Sequence, residues 1–144
     1  MRPAAILRLH LPLGLLMTVC ACSGQAPPAA TDTAAGTATG DRGAALYMQN
    51  CVPCHREKGE GVPNVYPSLA GSPAVLGDPV ELAQWVLSQK RPATIPAGRY
   101  ATQMLLFGWL KDQDAAALLT FIRANFGNAA SPVDAAMIAK ARAR

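Results

Sequence analysis

The sequence predicts an all-α domain of about four short helices joined by long loops. Three observations carry that expectation. No stretch alternates apolar and polar residues as a half-buried strand does. Several stretches instead place apolar residues at helical spacing, with capping residues at their starts. The breaks between them, rich in Gly and Pro, are long for a chain of 144 residues, and long loops in a small domain usually wrap or do something.

The first helix reads from "DRGAALYMQNC", where Asp41 can cap it and Ala44, Ala45, Tyr47 and Met48 favour it. Gly59, Gly61, Pro63, Pro67, Gly71 and Pro73 break the following segment into a loop. Asp78-Pro79 is a capping residue followed by proline at the first helical position. From there "VELAQWVLSQ" puts Leu82, Trp85 and Val86 on one face, with Leu87 at its edge. Residues 90–108 form a second long loop. In "DQDAAALLTFIRANFGN", Asp112 and Asp114 favour the positive end of a helix, and Leu118, Leu119, Ile122 and Phe126 make its buried stripe. Gly127 or Asn128 can stop it. A last helix, "SPVDAAMIAKARAR", starts with Ser131-Pro132.

Two segments precede the domain, which is expected over residues 41–144. Residues 1–21 have an Arg-bearing start and an apolar run from Leu11 to Val19, the order of an export signal. The run is shorter than the roughly 20 residues that a bilayer span takes. "VCACSG" resembles the bacterial lipoprotein box, with Ala21 before a Cys22 that would be lipidated and become the new N-terminus. Ordinary signal-peptidase cleavage nearby is the alternative. Residues 22–40 are expected to be a flexible linker after lipidated Cys22, because "SGQAPPAATDTAAGTATG" has one charge and no large apolar side chain. Such a coil has a mean span of about 25 Å. The mature chain would then work on the periplasmic side of a bacterial envelope, held to a membrane by its lipid.

The net charge of +4 falls to +2 once Arg2 and Arg8 leave with the signal, with 11 basic against 9 acidic residues. No basic run interleaved with aromatics appears, so nucleic acid is not an expected partner.

The chemistry concentrates in "CVPCHREKGEG". Cys20 departs with the signal and Cys22 is capped by lipid, which leaves Cys51 and Cys54 as the thiols of the mature domain. A thioredoxin-type dithiol would need a βαβ context, and no strand precedes the pair. A zinc site needs four ligands; His10 leaves with the signal, and only His55 remains beside the two thiols. A structural disulfide is a further alternative. Cys-x-x-Cys-His reads best as a c-type haem attachment, with one covalent haem c held through Cys51 and Cys54. His55 follows directly and supplies the proximal nitrogen to iron.

The second iron position is argued by elimination. With one histidine left, bis-histidine ligation within the chain is impossible. Met48 lies close to the anchor and is poorly directed, and Met137 sits in the terminal helix as core filler. Met104 lies 49 residues beyond His55, in the long loop before "LLFGWL", and such a loop can lower a thioether onto iron. The alternatives are a five-coordinate iron with Met104 packed at the haem edge, or ligation by Lys90 or Lys111.

"GAALYMQNCVPCH", "GEGVPNVYPSLAGSPAVLGDP" and "FGWLKDQDAAALLTFIRANFGN" with "VDAAMIAKAR" together resemble the class I c-type cytochromes. Within them the likeness is to the haem domains of bacterial alcohol, gluconate and nicotinate dehydrogenase cytochrome subunits, from about Gly43 to Arg142. The resemblance implies a small class I cytochrome c fold wrapped around one haem. It implies that Gly43 and Tyr47 mark the crossing of the first helix with the long C-terminal one. It implies further that the Pro67 carbonyl accepts a hydrogen bond from His55, that Leu69 lines the haem pocket, and that Met104 is the axial methionine. The family's methionine is usually followed by proline, where this chain has "MLLFG", which puts the rigidity of the ligand loop in question.

The expected function is a one-electron carrier that takes electrons from a dehydrogenase and passes them to a terminal oxidase or another cytochrome. The alternative is a haem enzyme or sensor whose open distal site binds a small molecule or peroxide, to which Arg91 and Arg99 would contribute if they are more than solvated loop charge. In a variant of the carrier, the chain is a haem subunit permanently bound to a catalytic partner through Trp85 and Trp109, although core or haem-pocket packing is the default for both.

Overall fold

A computed structural model describes residues 32–94, 97, 98, 100 and 102–144, with side chains from residue 38 onward. The expected export signal with His10 and Cys20, the expected lipidation site Cys22, and Arg99 lie outside the described residues. The described residues form α1 (Asp32–Asn50), α2 (Val52–His55), α3 (Pro73–Leu76), α4 (Pro79–Ser88), α5 (Asp112–Ala124) and α6 (Ala135–Arg142), and no strand. The all-α expectation therefore holds. Two of the six helices, α2 and α3, are single turns of 4 residues inside what the sequence reads as loop.

Helix α1 starts nine residues earlier than Asp41, so residues 32–40, assigned to the linker by composition, are helical. The three Ala there favour a helix, and the three Thr and two Gly, which do not, are carried by a nucleus that the packed turns from residue 43 onward supply. Residues 38–40 are exposed, and nothing lies within 4 Å of where a Cβ on Gly40 would be.

Helices α1 and α5 make the broadest helix–helix contact among the described elements. Gly43 permits it, because a Cβ there would collide with the Ala117 carbonyl and lie 2.7 Å from Phe121 Cβ. Tyr47 is 1 % exposed, with its ring centroid 5.6 Å from that of Phe121 and 4.9 Å from that of Phe126. Both residues thus take the crossing role expected of them. Leu118, Leu119 and Ile138 are buried at the centre, each contributing about 1.5–3 kcal/mol relative to exposure.

Asp78 caps α4 as its sequence suggests, accepting from the amides of Val80 at 2.8 Å and Glu81 at 2.9 Å. Leu82, Val86 and Leu87 are buried, whereas Trp85 is only half-buried. Trp109 is 66 % exposed, its ring tilted against that of Phe107 at a centroid separation of 6.4 Å, so of the core or haem-pocket packing expected for it the core is excluded. Helix α5 ends at Ala124, before Gly127 and Asn128, and Phe126 at φ 61 turns back onto Tyr47. Helix α6 begins at Ala135 rather than at Ser131-Pro132. Asp134 caps it by accepting from Met137 N at 2.8 Å, while Val133 pairs reciprocally with the Thr120 hydroxyl and stays outside the helix. Arg123, 2 % exposed, donates to the carbonyls of Val75, Gly77 and Ser131 at 2.6, 2.8 and 2.7 Å, and so fastens α3 to α5.

Candidate haem site

The Cys-x-x-Cys-His segment is built as a continuation of α1. The Cys51 amide donates to Tyr47 O at 2.8 Å, and His55 N donates to Cys51 O at 2.8 Å, closing the one-turn helix α2. One turn brings residues four apart onto the same side, so the thiols and the imidazole share one short element. Cys51 and Cys54 are not joined in a disulfide. Burial, followed by the charge of Cys54, pushes the Cys51 thiol up to about 12.

His55 is 8 % exposed, and its Nδ1 lies 2.9 Å from the Pro67 carbonyl. A carbonyl only accepts, so Nδ1 carries the proton and Nε2 keeps its lone pair. Burial lowers the imidazole pKa, partly opposed by the bond to Pro67, and thereby favours the neutral ring that a metal requires. The turn that presents Pro67 depends on Gly61 at φ 68, where a Cβ would lie 2.5 Å from Pro67 O. Tyr47 adds a constraint that its place in the helix does not disclose. Its hydroxyl donates to Arg56 O at 2.6 Å, pinning the backbone just after His55.

Leu69 is half-buried against the core, and its amide donates to Gly59 O at 2.7 Å. Asn128 holds the same segment from α5's side. It accepts from Gly71 N at 2.9 Å and donates to Leu69 O at 3.1 Å and Ile122 O at 3.0 Å. In sequence Asn128 reads only as a helix stop; its partners in the haem-side loop are too distant along the chain to be inferred. Met104 is half-buried against the core, at the end of the second loop. Its hydrogen bonding runs to α4, where Gln89 Nε2 donates to Met104 O at 2.5 Å. Lys90 is engaged elsewhere, donating to Arg144 O at 2.6 Å, and Arg91 is exposed.

These residues fit a covalently held haem. Two unpaired thiols and a buried neutral imidazole lie on one turn, and apolar side chains from both loops, Val65, Tyr100, Leu105 and Leu106, lie at least partly open. Among the described residues no group of three or more His, Cys, Asp or Glu could hold a metal ion, which leaves a zinc site without support.

The cytochrome c family model matches residues 40–125. The chain is 37 % identical over 106 residues to the cytochrome c subunit of the quinone alcohol dehydrogenase of Gluconobacter oxydans, covering 72 % of this chain and 22 % of that subunit. It is 34 % identical over 91 residues to the gluconate 2-dehydrogenase cytochrome c subunit of Pantoea cypripedii, covering 61 % of this chain and 21 % of that one. Cytochrome c-552 of Thermus thermophilus is 30 % identical over 92 residues, which covers 60 % of this chain and 70 % of that protein. The chain thus spans about a fifth of the length of the two dehydrogenase subunits. Fold, attachment turn and relatives agree: the chain belongs to the cytochrome c family, whose members hold haem c covalently and transfer electrons.

Proposed function

We propose that this cytochrome is a single-haem, one-electron carrier with His55 and Met104 as iron ligands, exported and tethered outside the cytoplasm through Cys22. Its donor would be a dehydrogenase and its acceptor a terminal oxidase or another cytochrome. The observation that carries the ligation is the His55–Pro67 bond, which frees Nε2 for a metal while Nδ1 is held. Such an outer hydrogen bond fixes tautomer and ring orientation and raises ligand basicity. Haem c supplies an iron that cycles between two oxidation states, and a His/Met pair raises its potential.

The chain's own contribution is a fixed surround. Cys51 and Cys54 hold the ring edge as thioethers, and Tyr47, Gly61 and Asn128 keep the segments on the His55 side in place. Met104 would bring a soft, uncharged sulfur from the second loop. Ligands positioned in this way by the fold would let the iron change oxidation state with little rearrangement. The engagement of Lys90 with the Arg144 carbonyl favours Met104 over that lysine. The names of the relatives, which are cytochrome c subunits of alcohol and gluconate dehydrogenases, support a donor of the same type.

The test is the ferric and ferrous optical spectrum of the purified holoprotein, with and without carbon monoxide, beside Met104→Ala. Low-spin iron with a methionine-to-ferric charge-transfer band that disappears in the variant, and no carbon monoxide binding by the wild type, is the expected result. High-spin iron that binds carbon monoxide equally in both proteins would instead favour the open-site enzyme or sensor. Mass spectrometry of the mature N-terminus checks the tether, which requires a diacylglyceryl group on Cys22.

A further inference from the structure

The loop bearing Met104 is fastened at one point that nothing above requires. Gln89 ends α4 in the left-handed region, at φ 56 and ψ 10, with its amide bonded to Trp85 O at 2.8 Å. That backbone shape suits glycine or asparagine and is strained for a longer side chain. The side chain found there is nonetheless committed. Its Nε2 donates to Met104 O at 2.5 Å, and its Oε1 accepts from Gln103 Nε2 at 3.0 Å. Both ends of one carboxamide therefore grip the residue pair Gln103–Met104. Further along the segment, Phe107 N reaches Val86 O at 3.3 Å, so the loop lies along the end of α4.

We propose that Gln89 is a positioning residue for Met104, fixing the methionine's backbone from the end of α4. The proposal rests on Met104 being an iron ligand. Methionine remains in equilibrium between bound and detached forms, and what holds its backbone near the iron raises the bound fraction. Loss of one hydrogen bond of this kind shifts such an equilibrium by roughly two- to tenfold.

The experiment titrates the ferric holoprotein with imidazole, which competes with methionine for the iron, in the wild type, Gln89→Gly, Gln89→Glu and Met104→Ala. Glycine removes the carboxamide while relieving the left-handed strain. Glutamate keeps the shape and the acceptor for Gln103 but has no proton for Met104 O. Apparent affinity scales with the detached fraction, so both Gln89 variants should bind imidazole roughly two- to tenfold tighter than wild type, with far-ultraviolet dichroism unchanged. Met104→Ala should bind tighter still. Wild-type affinity in both Gln89 variants, beside a large gain in Met104→Ala, would overturn the positioning role and leave the ligand intact. A gain confined to Gln89→Gly together with lost helical signal would also overturn it, since the residue would then be only a helix cap. No gain in Met104→Ala would remove Met104 as a ligand, and the positioning role with it.

Discussion

Asn128 shows how much one side chain can do for a site it does not enter. Its carboxamide, in a residue 6 % exposed, satisfies Gly71 N, Leu69 O and Ile122 O. Truncation would take a partner from each of these groups in a place water reaches poorly, and Leu69 O would keep only the long bond from Ser72 N at 3.4 Å. Asn128→Ala should therefore destabilise the holoprotein by about 3 kcal/mol, read as a lower denaturant midpoint at unchanged slope. A shift within about 0.5 kcal/mol, the range of ordinary surface changes, would mean that the Leu69–Gly71 segment is held by other means. The contrast with the attachment turn explains what a sequence discloses at this scale. Cys51, Cys54 and His55 are legible because the chemistry lies within one helical turn. Pro67 and Leu69 are legible only by resemblance, since a carbonyl has no side-chain signature. Asn128 and Gln89 read as helix ends, and nothing local shows that their carboxamides close contacts 59 and 15 residues away.

Among the elements, caps with their partners nearby were the readable ones. Asp78-Pro79 marks the start of α4 because the carboxylate bonds amides two and three residues on. Ser131-Pro132 offers the same pattern and misleads, because Val133 is taken by Thr120 from α5 and Asp134 caps instead. Helix α1 fails in the other direction. Its sequence before Asp41 has no large apolar side chain, so composition reads linker, whereas the structure continues the helix back to Asp32, with residues 38–40 exposed. The extension should then be separable from the fold. Gly40→Pro removes one helical amide and clashes with the preceding turn, but proline is accepted as a first helical residue. The expected outcome is a loss of helical dichroism from residues 32–39 with the denaturant midpoint unchanged. A lower midpoint would show that those turns support the body of the protein.

At the scale of the whole molecule, charge is nearly balanced. Without Arg2 and Arg8 of the proposed export signal the chain carries +2, which the two propionates of one haem c would cancel. The ion pairs seen, Arg42–Asp114 and Arg142–Asp112, each at 2.8 Å, also neutralise charge locally rather than forming a patch of one sign. Large exposed apolar side chains instead cluster after the proposed ligand: Leu105, Leu106 and Trp109 are 69, 52 and 66 % exposed. A carrier of this kind meets its partners without long-range steering, which falls steeply with ionic strength where strong fields exist. The rate at which hexacyanoferrate(III) oxidises the ferrous holoprotein should therefore change by less than about threefold between 10 and 200 mM salt. Stopped-flow measurement across that range decides the matter. A steep fall with salt would place a concentrated positive patch beside the electron's exit, and docking would then be governed by charge. A flat profile leaves partner choice to shape and apolar contact.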